Sequence, residues 1–127
     1  MNDHNLGDHL QVAAVIAPAR KTASEDGAAI DLQQYVGDHK IILSSSAGGG
    51  TSPTLDIKMQ ECDTSAGTFT DIAGAAFTQV TGAAASTQSI TINADEVKRY
   101  VRAKTTITGT SPTFDMALVA VGVKQVR

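Results

Sequence analysis

The residue types that most often carry chemistry are sparse in this chain and poorly placed for it. Its three histidines each follow an aspartate, as Asp3-His4, Asp8-His9 and Asp38-His39. Histidine beside carboxylate is the raw material of a metal centre or an acid–base pair, but both need their groups fixed by rigid elements. His4 and His9 lie in a polar, aperiodic stretch with no scaffold, and His39 is a turn residue. They predict no metal site, no catalytic constellation and no cofactor. Cys62 is the single cysteine, which rules out an internal disulfide and a thiolate metal site. It reads as a small, partly buried strand residue.

Two further stretches invite a binding role. Ala47-Gly48-Gly49-Gly50-Thr51-Ser52 lacks the lysine and the following helix of a phosphate cradle, and it reads as a hairpin loop between strands. Lys98, Arg99, Arg102 and Lys104 gather four of the ten basic residues around Tyr100. Strand alternation puts Lys98, Tyr100, Arg102 and Lys104 on one face and Arg99 on the other. A basic stripe around one tyrosine suits a solvated strand face, an acidic protein partner, or single-stranded nucleic acid. The chain as a whole is acidic, with thirteen Asp+Glu against ten Lys+Arg and a formal charge of −3, which argues against nucleic acid and against a polybasic membrane surface. A sugar-binding sandwich wants exposed aromatic platforms, and this chain has no Trp and only two Tyr.

The elements that must position these residues are strands. At 127 residues the chain is one domain's worth of sequence. Its 42% hydrophobic fraction is rich in alanine, so the core is built largely from small groups. Leu10 to Ala17 is short and β-branched, and Pro18 closes it. His39 to Ser46 carries Ile41-Ile42-Leu43. Thr54 to Gln60 alternates strictly, with Leu55, Ile57 and Met59 on one face and Asp56, Lys58 and Gln60 on the other. Thr87 to Ile92, Lys98 to Ile107 and Thr113 to Val123 continue the pattern, and Ala76 to Val80 suits a short edge strand. One helical turn fits, at Asn93 to Val97, with Asn93 as its cap. Thr22 to Ala28, Ala47 to Pro53 and Gly74 to Ser86 read as loops. The expectation is an all-β chain, an antiparallel sandwich or barrel over residues 10–127, preceded by a flexible arm over residues 1–9. No basic n-region of a signal peptide precedes the short apolar run Val12 to Ala17, so use in a reducing cytoplasm is expected.

One repeat stands out. Gly50-Thr51-Ser52-Pro53-Thr54-Leu55-Asp56 returns as Gly109-Thr110-Ser111-Pro112-Thr113-Phe114-Asp115, at an offset of 59. Downstream, Ile57 and Met59 fall on Met116 and Leu118. Upstream, Lys40-Ile41-Ile42 falls on Arg99-Tyr100-Val101. Glycine permits a turn, and proline suits the first residue of a strand, so each copy predicts a hairpin.

Thr22-Ala23-Ser24, the stretch Gly27 to Gln33, Gly49 to Glu61, Gly67 to Ile72 and the closing segment Lys98 to Lys124 together resemble the capsid decoration, or cement, proteins of tailed bacteriophages. These are short Ala/Thr/Gly-rich β-sandwich chains that coat an assembled shell. The resemblance covers residues 20–127. It implies a jelly-roll-like sandwich with no catalytic site, present in many copies on a virion surface after assembly in the host cytoplasm. It also implies the major capsid protein and its own copies, as dimer or trimer, for partners, and no nucleic acid, membrane or small-molecule substrate. Residues placed to make such contacts are Val12 and Val15 on the first strand and Arg99, Tyr100, Arg102 and Lys104 on the basic one. The alternative is a carbohydrate- or host-surface-binding module of a phage tail or head fibre.

Overall fold

A computed structural model describes residues 10–124, and the arm expected at residues 1–9 lies outside them. Nine strands form: β1 (Leu10–Lys21), β2 (Glu25–Asp26), β3 (Ile30–Asp31), β4 (Tyr35–Ser45), β5 (Gly49–Cys62), β6 (Thr70–Ala76), β7 (Val80–Thr81), β8 (Ser86–Asn93) and β9 (Tyr100–Lys124). All pairings are antiparallel. The fold is an all-β, jelly-roll-like sandwich. Among the described residues no helix forms, and the helical turn expected at Asn93 to Val97 is a hydrogen-bonded turn. There Asn93 O accepts from Glu96 N at 3.0 Å and Asn93 Oδ1 accepts from Asp95 N at 2.8 Å.

The two layers share one strand. The C-terminal half of β9 lies between β1 and β4, and β8 closes that sheet beyond β4. The N-terminal half of β9 lies between β5 and the short β2 and β3, with β6 and β7 beyond β5. We call these the first and second sheets. Between them the strictly alternating Leu55, Ile57 and Met59 meet Ile41, Leu43, Phe114, Met116 and Leu118, all fully or almost fully buried. Such side chains each contribute about 1.5–3 kcal/mol when taken out of water. Phe77 joins this core rather than an edge strand: β6 ends at Ala76, β7 begins at Val80, and the Phe77 N–H donates to Ile57 O at 2.9 Å between them. The short β2 likewise interrupts the loop expected at Thr22 to Ala28, and the loop expected at Ala47 to Pro53 gives way at Gly49 to the long β5.

The repeat does not build two hairpins. Each copy is a bulged corner inside one long strand, and the two corners pair with each other. Thr51 lies opposite Thr110, flanked by Gly49 opposite Thr113 and Thr54 opposite Thr108. Adding the offset of 59 to one side of this set returns the same set, so a local two-fold axis passes between Thr51 and Thr110. The backbones match: Ser52 and Ser111 have φ of 49° and 50°, and Gly50 and Gly109 have φ of 95° and 123°. Register shifts at these corners absorb Pro53 and Pro112, which cannot donate to a ladder, and another in β1 absorbs Pro18. Downstream of the corners the equivalence holds, with Leu55, Ile57 and Met59 buried like Phe114, Met116 and Leu118. Upstream it slips by one residue: buried Ile41 corresponds to buried Val101, not to half-exposed Tyr100.

Candidate functional site

The outer face of the second sheet carries the basic stripe. Val101, Ala103 and Thr105 point into the core, so alternation turns Tyr100, Arg102 and Lys104 outward. The charges there are engaged within the chain. The Arg102 guanidinium lies 4.3 Å above the Phe69 ring, donates its Nε–H to Gln60 Oε1 at 3.1 Å, and has Asp26 at 3.7 Å. Lys104 stands 3.6 Å from the same Asp26. Beside them Lys58 pairs with Asp71 at 2.8 Å, and Gln60 donates to that carboxylate at 2.9 Å. These two bonds hold the Asp71 carboxyl below its ordinary range.

Arg99 grips Asp31 with two bonds, of 3.0 and 2.8 Å, and its guanidinium curls back to 5.0 Å from the Tyr100 ring. The hydrogen bonds from Arg99 lower the Asp31 carboxyl. The structure therefore turns Tyr100, Arg102 and Lys104 outward as alternation predicts, whereas Arg99, expected on the opposite face, precedes β9 and lies over the Tyr100 ring. It also supplies partners the local sequence did not reveal: Asp26, Asp31, Gln60 and Phe69. Arg102 and Lys104 share the single Asp26 carboxylate, so part of the stripe's charge is met within the chain, and the Phe69 ring lies beneath a guanidinium.

The outer face of the first sheet is different. Antiparallel sheets with one solvated face usually show polar side chains there. Here Val12 lies opposite Val121 and Ala14 opposite Val119, while Ile42 lies on the other side of Val119. Val36 and Val123 extend the apolar face at one end, and Ala117 at the other. Val12 is 65% exposed and Val36 is 36% exposed. Charge enters this face on β4, where exposed Lys40 stands directly beside Val121 and exposed Asp38 precedes it, and an Arg20–Asp115 pair at 2.8 Å closes the end beyond Ala117. On the far side β8 adds only Thr87, Ser89 and Thr91.

Val12 is exposed, whereas Val15, named with it as a contact residue, is buried. A register shift between Ala14 and Ile16 turns both Val15 and Ile16 inward, leaving Val15 4% exposed in the core. Ile42, Val119 and Val121 were missed by sequence reasoning. The signal was present in Ala117-Leu118-Val119-Ala120-Val121-Gly122-Val123, apolar at both parities where β5 alternates.

His39 is 3% exposed, with Nδ1 3.2 Å from Gly37 O, its ring edge-on to Tyr35, and Nε2 without a hydrogen-bond partner. A small apolar pocket beside it, lined by Leu32, Ile41, Ile92 and Gly122, holds about one water's volume. Among the described residues no three His, Cys, Asp or Glu side chains gather to hold a metal ion.

No protein-family model matches the chain, and no curated protein matches it in sequence. Solved structures match in fold. The SPBc2 prophage-derived protein YomS is similar at a TM-score of 0.55 and 12% identity, over 91% of this chain and 93% of that one. The infectious bursal disease virus Gt strain structure gives 0.52 at 10% identity, over 91% of this chain but 33% of that one. The CBM22-1 xylan-binding domain of Paenibacillus barcinonensis Xyn10C gives 0.48 at 15% identity, over 93% and 83%.

Proposed function

We propose that this chain is a non-enzymatic structural subunit of a phage head, a decoration or cement protein. It lays the outer face of its first sheet on the assembled shell of the major capsid protein and bridges neighbouring capsomers. The observation that carries the reading is the asymmetry of the two outer faces. One carries a network of ion pairs, and the other presents Val12, Ala14, Ile42, Val119 and Val121 together, with Lys40 beside Val121 and the Arg20–Asp115 pair at one end. Contiguous apolar surface of this kind marks an interaction site. Desolvating even two or three valine-sized side chains contributes on the order of 2–5 kcal/mol per subunit. A subunit that touches two capsomers multiplies that gain, because the second contact forms at high effective concentration. The resemblance to decoration proteins and the fold shared with a prophage-derived protein along nearly its whole length agree with this role. The sugar-binding alternative lacks an open aromatic platform, since Arg102 covers Phe69 and Arg99 lies over Tyr100.

The test is co-sedimentation of the purified chain with expanded shells that lack it, with copies counted by quantitative mass spectrometry. The wild type should bind in numbers approaching those of the shell protein. Val119→Lys should weaken binding at least about tenfold, because it places a charge in the desolvated centre of the face. The double reversal Arg102→Glu/Lys104→Glu should leave binding intact. Normal binding by Val119→Lys together with loss in the double reversal would move the contact to the second sheet. No binding by the wild type would end the decoration reading.

A further inference from the structure

Sheet edges are hazards that proteins blunt with charge, proline, bulges or brevity. Three of the four edges here are blunted. On β1 lie Pro18, two register shifts, Arg20 and Lys21. Beside β9 in the second sheet, β2 and β3 are two residues each. On the opposite edge β7 has two residues, and β6 carries Asp71, a positive-φ Gly74 and a register shift. The fourth edge, β8, has none of these devices. Ser86-Thr87-Gln88-Ser89-Ile90-Thr91-Ile92-Asn93 contains no charge, no proline and no glycine, and pairs with β4 in unbroken register from Asp38–Asn93 to Ser45–Ser86. Among the described residues no strand pairs with its other side.

Its outward row, Thr87, Ser89 and Thr91, reads the same from either end. We infer that β8 is the seam at which a second copy of this chain adds its own β8, antiparallel, across a two-fold axis at Ser89. Thr87 of each copy then meets Thr91 of the other, and Ser89 meets Ser89, pairings that suit hydroxyl side chains. The nearest charges, Asp95 and Glu96, fall opposite Ala83 and Gly82 rather than opposite each other, so a chain of net charge −3 meets itself without repulsion at this edge. An antiparallel two-fold stands perpendicular to the sheet. It therefore sets both apolar outer faces side by side on one surface, giving a bivalent docking plate. The inference deepens the decoration reading by naming how two docking faces are joined.

The experiment uses the full chain in solution, without shells. Sedimentation equilibrium of the wild type should give two copies. Ser89→Lys, at a solvent-facing position, should weaken self-association at least about tenfold and leave the thermal unfolding of the monomer unchanged. Val119→Lys, on the face rather than the edge, should remain dimeric. Directly opposed residues stand about 4.5–5.5 Å apart between Cα atoms, within disulfide reach, so oxidised Ser89→Cys should cross-link while Thr87→Cys alone should not. A monomeric or trimeric wild type, a dimer indifferent to Ser89→Lys, or equal cross-linking by Thr87→Cys would overturn the inference. A dimer that is lost when residues 1–9 are deleted would do the same, and would give the edge to that segment. A dimer that fails to bind shells would overturn only the decoration reading, and a shell-binding monomer only this one.

Discussion

The crossing of the two corners makes a quantitative demand on Gly50 and Gly109. A Cβ on Gly50 would stand 2.6 Å from Thr110 O and inside the contact distance of Ser111 O. One on Gly109 would stand 2.9 Å from both Thr51 O and Ser52 O. These obstacles are backbone, so no rotamer change relieves them. Both glycines also hold positive φ, which costs an alanine about 1–3 kcal/mol. Gly37 and Gly74 isolate that second effect, because they have φ of 71° and 76° and nothing within 4 Å of an added Cβ. Gly37→Ala and Gly74→Ala should therefore lose about 1 kcal/mol. Gly50→Ala adds an overpacking penalty of about 1–3 kcal/mol and should lose about 2–4 kcal/mol in all. Gly109→Ala should fall between these. At this chain length each kcal/mol moves Tm by about 3–5 °C, so Gly50→Ala should melt on the order of 10 °C or more below the wild type. The assay is urea and thermal unfolding of all four variants at one protein concentration. If Gly50→Ala unfolded together with Gly37→Ala, the two corners would not be in contact as described.

Two further outcomes follow from the charged groups on the two outer faces. Phe69→Leu keeps most of the buried volume but removes the ring beneath Arg102, and should lose about 0.5–1 kcal/mol of coupling in a double-mutant cycle with Arg102→Ala. A coupling of zero would mean that the ring and guanidinium are only neighbours. Asp31, Asp71 and Asp115 are held below the ordinary carboxylate range by hydrogen bonds from Arg99, from Lys58 and Gln60, and from Arg20. Because the folded state lowers these values, their contribution is complete above the unfolded value and disappears as pH falls below about 4. Asp31→Asn and Asp115→Asn should flatten the acid limb of the stability curve, most visibly at low salt. An unchanged slope would mean that these exposed pairs are inert.

The parts of this fold legible in the sequence are those decided by near neighbours. Leu55, Ile57 and Met59 declare an inward face because polar Asp56 and Lys58 alternate with them, and Asn93 declares a capped turn because its own side chain makes the cap. The corners were misread for a physical reason. Gly-Thr-Ser-Pro supplies the same backbone freedom whether it closes a hairpin or bends one strand from sheet to sheet. The choice between them depends on Thr51 finding Thr110, far along the chain. Val15 followed the same logic, since one bulged residue reverses every parity after it. The basic stripe was found by parity, but its neutralisation was not, because Asp26 and Phe69 arrive from other elements. The apolar run Ala117 to Val123 announced two apolar sides without saying which one faced the core.

The 25-residue β9 also has a consequence for how this protein comes into being. Synthesis delivers β1 to β5 before the strand that pairs with all of them. Until β9 emerges, the first sheet has only β4 and β8 joined and the second only β5 with β6 and β7, each too small to persist in water. The two layers cannot be made in turn, because a single late segment completes both. A nascent chain truncated before β9 should then lack a stable fold. Until β9 is made the inward faces of both layers stand uncovered, so the chain's greatest exposure to misassembly belongs to its birth rather than to its working life.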